Sequence, residues 1–461
     1  MASPLSHLLF LVLLCSISPF ISSYPTAGAI PVSVYNTIPH SDPLQRLSHL
    51  AFTSIARARR LKNPRNAPIS TTPLFPYSGA YSISLSFGTP PQTIPMVLDT
   101  GSSFSWFPCT KRYVCRHCSV SSTGISSFIP KESSSGKILG CMNPKCGWVH
   151  QSFDPNSSCQ DCRQQKTNCT QTCPPYIILY GLGSTGGIPM VETLNMPHKK
   201  IPDFLVGCSL FSSGQPAGVA GFGRGVSSLP SQLGIKKFSY CLVSHKFDNT
   251  PKSSFLSMDP ESDSDKKTGN LSYTPLLKNP VGPGNSALSD YYYVGLRRIT
   301  VGGQKVKVSY QQLSPDSNGN GGTIVDSGST FTYMNQAVFD MVSNAFSEQV
   351  KEYKRAENVE SQTGLRPCFD VTGHDAVKMP ALKLHFKGGA EMALPLENYF
   401  FAVDDVQKEA VCLTMVTDNT LLGPELISGP SVILGNFLMQ NFHVEYDLMN
   451  KRFGFRQQSC S

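Results

Sequence analysis

Apolar and small polar residues alternate from Tyr81 through Ile83, Leu85 and Phe87, which predicts a half-buried strand running up to the turn Gly88-Thr-Pro-Pro91. The next apolar run, Ile94-Pro-Met-Val-Leu98, predicts a second strand, and it ends on Asp99. Ile177-Ile-Leu-Tyr180 reads as an apolar strand entering a Gly-rich hairpin tip. Strands resume at Tyr291-Tyr-Tyr-Val-Gly-Leu296 and at Ile299-Thr-Val301. Helical spacing appears in two places. Leu44, Leu47, Leu50 and Ile55 suggest an amphipathic helix with a basic end, and the alternative for that stretch is a solvated basic linker. Val338, Met341, Val342, Ala345, Phe346 and Val350 make the core face of a second helix, capped by Asn335. Residues 244–290, rich in Ser, Asp, Lys, Pro and Gly, read as a connector with loops.

The strand that delivers Asp99 has an echo. Met96-Val-Leu-Asp99-Thr-Gly-Ser102 and Thr323-Ile-Val-Asp326-Ser-Gly-Ser329 share one construction: an apolar strand, an Asp, a hydroxyl residue, a Gly and another hydroxyl residue. A second echo follows each motif. Gly218-Val-Ala-Gly221 ends 122 residues after Asp99, and Ser431-Val-Ile-Leu-Gly435 ends 109 residues after Asp326. The chain therefore reads as an internal duplication, each half giving one carboxylate. One motif alone is also the signature of a strand ending in an Asx or Ser/Thr turn; the matched pair points to chemistry. Two like charges a few ångströms apart cannot both ionise, so such a pair holds one shared proton over a broad acidic range. One half acts as base toward a water and the other as acid toward the carbonyl it attacks. In this scheme Thr100 and Ser327 bond across the centre, while Gly101 and Gly328 keep side chains out of a substrate's way.

Composition narrows the picture. The net charge of +8 is concentrated at the start, since residues 1–77 hold six of the 39 basic residues and one of the 31 acidic ones. The remainder carries 33 minus 30, or +3, so no nucleic-acid-binding face is implied. Leu8-Leu-Phe-Leu-Val-Leu-Leu14 followed by small residues predicts a signal peptide over 1–23, and no later run is long enough for a membrane anchor. Of 15 cysteines, Cys15 lies in that signal, leaving 14, nine of them between Cys109 and Cys173. Secretion favours disulfides over zinc, although Cys115-x-x-Cys118 and Cys159-x-x-Cys162 have zinc-like spacing. Nine being odd, one cysteine of the block must pair outside it or stay free. Asn156, Asn168 and Asn270 stand in glycosylation triplets.

Taken together, Phe87-Gly-Thr-Pro-Pro-Gln92, the two Asp motifs, Trp106, Tyr180-Gly181, Phe238-Ser-Tyr-Cys241, Tyr293-Val-Gly-Leu296 and Ile433-Leu-Gly435 resemble the pepsin-like aspartic proteases, most closely the nepenthesin-type plant branch. The resemblance covers residues 78–461 and implies an all-β-dominated, bilobal acid-protease fold: two pseudo-symmetric β lobes with a central cleft. It implies a prosegment over 24–77, an N-terminal lobe over 78–257 with Asp99 and a cysteine-rich insert at 109–173, and a C-terminal lobe over 258–461 with Asp326. Asp99 and Asp326 become the catalytic pair. Gly101, Tyr180, Gly181, Gly328 and Ser329 become substrate-binding residues, and Thr100, Ser102, Trp106 and Ser327 supporting ones, with the Trp106 indole reaching the Tyr180 hydroxyl. Leu182 departs from the Asp that many relatives of this branch carry after Tyr-Gly. The expected protein is a secreted, extracellular endopeptidase of the cell wall or apoplast, rather than of the vacuole. It is expected to be a monomer acting on polypeptides in acid, without cofactor or metal. The alternative is a catalytically silent relative that binds or inhibits another secreted protein.

Overall fold

The computed structural model describes residues 30–35, 42–62, 79–118, 124–150, 153–164, 169–180, 183–196, 199–215, 217–244, 253–259, 270–280, 286–405, 408–418 and 428–460. The expected signal peptide, Asn168, Gly181 and Leu182 lie outside these residues. Strands dominate: a 15-stranded sheet runs through the molecule, and one five-stranded and two four-stranded sheets complete the second half. The fold is the bilobal pepsin-like one.

The two halves are built alike around their Asp residues. Strand Gln92–Asp99 pairs antiparallel with Ala80–Phe87 and parallel with Gly218–Gly221, setting Asp99 opposite Gly221. Strand Thr323–Val325 pairs parallel with Val432–Leu434, and the Asp326 N–H donates to the Leu434 carbonyl (3.0 Å). Each apolar run that ends in Gly is thus the parallel neighbour of the strand delivering the carboxylate. Such strands are covered on both faces, which is why they read as continuous apolar runs instead of alternating ones. The terminal glycines answer to crowding: a Cβ on Gly221 would strike the Ser103 carbonyl, and one on Gly435 the Thr330 carbonyl.

Three local expectations change. Ser253–Asp259, placed in the connector, is a strand paired with Lys237–Cys241, and its even positions Ser254, Leu256 and Met258 are buried. Serines at three of its seven positions, Ser254 among the buried ones, hide its period of two. The helix Gln336–Gln349 is capped as expected, the Asn335 side chain accepting from the Val338 N–H (3.1 Å). Its buried residues, however, are Val338, Phe339, Val342, Ser343 and Phe346, while Met341 is exposed. At about 100° per residue those five share one arc, and Met341 points well outside it. Strand Ile30–Tyr35, for which the sequence suggested nothing beyond a Pro-rich lead-in, lies between Ala80–Phe87 and Ser253–Asp259 and pairs antiparallel with both.

The stretch with Leu44, Leu47, Leu50 and Ile55 is the helix Pro43–Lys62. Asp42 caps it by accepting the Leu44 N–H, and Pro43 takes the first turn, where a missing N–H costs nothing. Leu47, Leu50, Ala51, Ile55, Ala58 and Leu61 are buried against Tyr291, Tyr293, Phe331, Tyr333 and Phe437 of the second half. It is a packed element, not a solvated linker.

All fourteen cysteines after Cys15 are paired. Eight of the nine in the dense block bridge within it, and Cys109 leaves it to join Cys208. Cys159 and Cys162 belong to different bridges, to Cys141 and Cys169. Cys146 and Cys173, which with His150 have ligand atoms close enough for a metal, are bonded to each other, so their thiols are spent.

Candidate active site

Asp99 and Asp326 meet at the junction of the halves and are buried. The turns after them are superimposable in their bonding. Gly101 N–H donates to Asp99 Oδ1 and Gly328 N–H to Asp326 Oδ1, each at 2.9 Å. Ser102 Oγ donates to Asp99 Oδ2 and Ser329 Oγ to Asp326 Oδ2, each at 2.6 Å. Ser329, read from sequence as substrate-binding, therefore has the same bond as Ser102. Thr100 and Ser327 cross between the halves: the Ser327 N–H donates to Thr100 Oγ1 (2.9 Å) and the Thr100 N–H to Ser327 Oγ (3.1 Å). Their hydroxyls donate on to the Val325 and Leu98 carbonyls. The glycines serve the pair itself more directly than any substrate. A Cβ on Gly101 would stand 2.5 Å from Asp326 Oδ1, and one on Gly328 2.6 Å from Asp99 Oδ1.

Trp106 is buried, and its indole N–H donates to the hydroxyl of Tyr180 at the end of strand Tyr176–Leu179. The two rings pack with Tyr176 and Val219 into a small apolar cluster that anchors the hairpin base. Asn156 and Asn270 are both exposed.

The residue that sequence reasoning did not single out is Arg57. From the last turns of helix Pro43–Lys62 its Nη2 lies 2.6 Å from Asp99 Oδ1 and 3.0 Å from Asp326 Oδ1, and its Nε lies 2.6 Å from Asp326 Oδ2. Arg57 is 5 % exposed, so one positive and two potential negative charges are buried together. Burial pushes the Asp99 carboxyl up, and the Asp326 charge adds to this against the pull of Arg57. At Asp326 burial is outweighed by Arg57, which reaches it through two nitrogens, and by Ser329 and Gly328, so that carboxyl is held below its ordinary value.

The same helix end grips the site twice more. Arg59 (3.6 Å) and Lys62 (3.7 Å) pair with Asp418, and Lys62 also donates to the Tyr333 hydroxyl (2.8 Å). Arg60 donates through Nε to the Leu179 carbonyl of the hairpin (2.8 Å). In sequence these bases were visible only as a charge run. The one further signal was that the run adjoins a leucine stripe, which sets its bases next to an apolar docking face without telling which of them turns inward.

Comparisons place the chain among known proteins. The family model described as xylanase inhibitor N-terminal matches residues 81–258, and the one described as xylanase inhibitor C-terminal matches 291–457. A probable aspartyl protease of Arabidopsis thaliana is 32% identical over 424 residues, covering 83% of this chain and 82% of that protein. Aspartic proteinase nepenthesin-2 of Nepenthes gracilis is 30% identical over 418 residues, covering 88% and 85%. Among solved structures, edgp has a TM-score of 0.61 at 19% identity, covering 94% of this chain and 95% of its own. Conglutin gamma from lupine seeds has 0.59 at 17%, covering 94% and 96%.

Proposed function

Because the chain belongs to the plant family of pepsin-like aspartic proteases, we propose that it is an aspartic endopeptidase, made as a precursor that its own residues 43–62 hold shut. The observation that carries this reading is the position of one nitrogen. Arg57 Nη2 sits between the inner oxygens of the two carboxyls, 2.6 and 3.0 Å from them. Once Arg57 leaves, a water at that point is held by both. With one proton on the pair, the ionised carboxylate takes a proton from this water as its oxygen attacks the peptide carbonyl, and the protonated partner donates to the carbonyl oxygen. Collapse of the tetrahedral intermediate passes a proton to the leaving amine and restores one proton to the pair. Gly101 and Gly328 leave the space above the carboxyls open, and Tyr180, tied to Trp106, sits at the cleft's upper wall.

Polypeptides are the proposed substrates, and a secreted monomer the proposed form. Seven disulfides support the secretory route. Trimming is proposed within about residues 65–80, beyond the helix that ends at Lys62. N-terminal sequencing of active protein that still began near Tyr24 would sink the precursor reading.

The deciding measurement is cleavage of a denatured protein at about pH 3 to 5, where one proton per pair is expected, by wild type, Asp99→Asn and Asp326→Asn. Each substitution removes one role and disables the other, so at least about a hundredfold loss is expected, with circular dichroism unchanged. A folded Asp326→Asn chain keeping more than about a tenth of the rate would overturn the mechanism.

A second reading rests on the matched family models, both described by xylanase inhibition. In it the cleft is a binding surface and the pair is silent. Tight binding to a xylanase, with no peptide cleaved after acid treatment, would establish it instead.

A further inference from the structure

Beside the dyad lies a cavity of about 370 Å³, walled by Ser103, by Trp148 and His150 of the cysteine-rich insert, by Leu179 of the hairpin, and by Asp290 and Tyr291. Arg60 already reaches into it. Its guanidinium is half-buried, donates to the Leu179 carbonyl and lies near the Tyr291 and Tyr180 rings. Asp290 bonds only hydroxyls there, those of Ser103 and Ser289, and among the described residues it has no ion pair. Arg224, whose N–H donates to the Asp290 carbonyl, turns its guanidinium away to the Leu277 carbonyl and Asn279.

From this geometry we infer that the cavity is a subsite for a basic substrate side chain, arginine or lysine, with the Asp290 carboxyl and the Leu179 carbonyl as its acceptors. The inference rests on the protease reading, since the helix must leave before a substrate enters. The helix commits Arg60 to the Leu179 carbonyl, whereas an extended peptide is free to bring the same side chain to Asp290. A guanidinium offers five donors to a wall rich in acceptors. An aliphatic side chain would leave the carboxyl with its two hydroxyl partners and no opposite charge. The cysteine-rich insert contributes Trp148 and His150 to the same cavity wall as Asp290.

The preference should fade in acid. Burial pushes Asp290 up to about 6, with the Ser103 and Ser289 bonds pulling the other way. Above that value it is a carboxylate that attracts a cation; below it, a neutral acid. His150 also lines the cavity, and the Tyr291 and Tyr292 phenols stay neutral, burial raising both.

The test uses statine-type peptides carrying arginine, norleucine or glutamate at each of three positions on either side of the central unit. Binding is read by tryptophan fluorescence, Trp148 being one of only two tryptophans, on the full chain with Arg57→Ala, whose helix has lost its anchor. Competition with the tethered helix scales all affinities alike, so ratios are meaningful. At one position arginine should bind about 10- to 100-fold better than norleucine at pH 7, the range of a charged hydrogen bond. That ratio should fall toward one at pH 4, and toward one at both pH values with Asp290→Asn. Equal affinities at every position, no binding at all, or an arginine preference that Asp290→Asn leaves intact would overturn the subsite. If Asp290→Asn does not fold, the wild-type ratio at the two pH values decides alone. Peptides that bind in the expected pattern while no substrate is cleaved would refute the protease and leave the subsite standing; cleavage in acid by a chain whose peptide binding shows no arginine preference at pH 7 would do the reverse.

Discussion

Arg57 brings one positive charge to two buried carboxyls, and the pH dependence of helix docking follows from how they share it. A carboxyl whose value is lowered in the folded chain adds stability above its unfolded value, and that contribution is lost as pH falls through the lowered value. Asp326 is such a group, lowered from 3.8. At Asp99 burial raises the value, but the contribution of Arg57 itself is to lower it, so docking favours the ionised form there too, and Arg57 stays compensated while either carboxylate remains. The helix should therefore hold at neutral pH and in mild acid and release only below 3.8, when Asp326 takes its proton. Hydrogen exchange of residues 43–62 against pH reads this directly. Arg57→Ala removes one partner of a buried pair, a loss of roughly 3–5 kcal/mol, so protection at pH 7 should fall by well over tenfold. Unchanged protection would mean that the leucine stripe alone holds the helix.

Among the elements, the two long helices make opposite tests of local pattern. In Pro43–Lys62, Leu50 is fully buried beneath the second half. Leu50→Ala should cost about 2–5 kcal/mol of docking, seen as the same loss of exchange protection, with the rest of the molecule unaffected. In Gln336–Gln349 the periodic pattern was read one position too wide. Val342→Ala should cost about 2 kcal/mol and Met341→Ala less than about 0.5 kcal/mol, measured by denaturant unfolding. Equal losses would restore Met341 to the core face.

Over the whole molecule, disulfides tie segments far apart in sequence. Cys241–Cys460 closes 219 residues and Cys109–Cys208 closes 99, whereas Cys115–Cys118 closes three. Loop-closure entropy rises with length, to about 4.7 kcal/mol for a 100-residue loop. Replacing both members of Cys241–Cys460 by Ser should therefore lower the melting temperature far more than replacing Cys115 and Cys118. Thiol titration of the denatured, unreduced protein should find no more than a trace of free thiol. Two or more reactive thiols with one bound zinc would reverse the assignment of the block.

Local order in this chain was written locally. The Asp99 and Asp326 motifs, the alternation at Tyr81–Phe87 and the Asn335 cap are each visible in the sequence, because a turn or a period depends on near neighbours, whereas the Trp106 and Tyr180 pair, 74 residues apart, came only from the family resemblance. The glycine-ended apolar runs at matched distances were visible too, as a duplication, but not their parallel pairing with the strands that deliver the carboxylates. What the chain order hides is which distant groups meet. Six basic residues precede residue 78, and nothing local distinguishes Arg57 from Arg59 or Arg60; only the docking of the leucine stripe on Tyr291, Phe331 and Tyr333 fixes the rotation that aims Arg57 at the carboxyls. The same holds for the escape of Cys109 to Cys208, the strand within the Ser-rich connector, and the meeting of Asp290 with residues of the insert in one cavity. Those are decided by packing between segments far apart in the chain, where partner identity is a property of the assembled surface and not of any stretch within it.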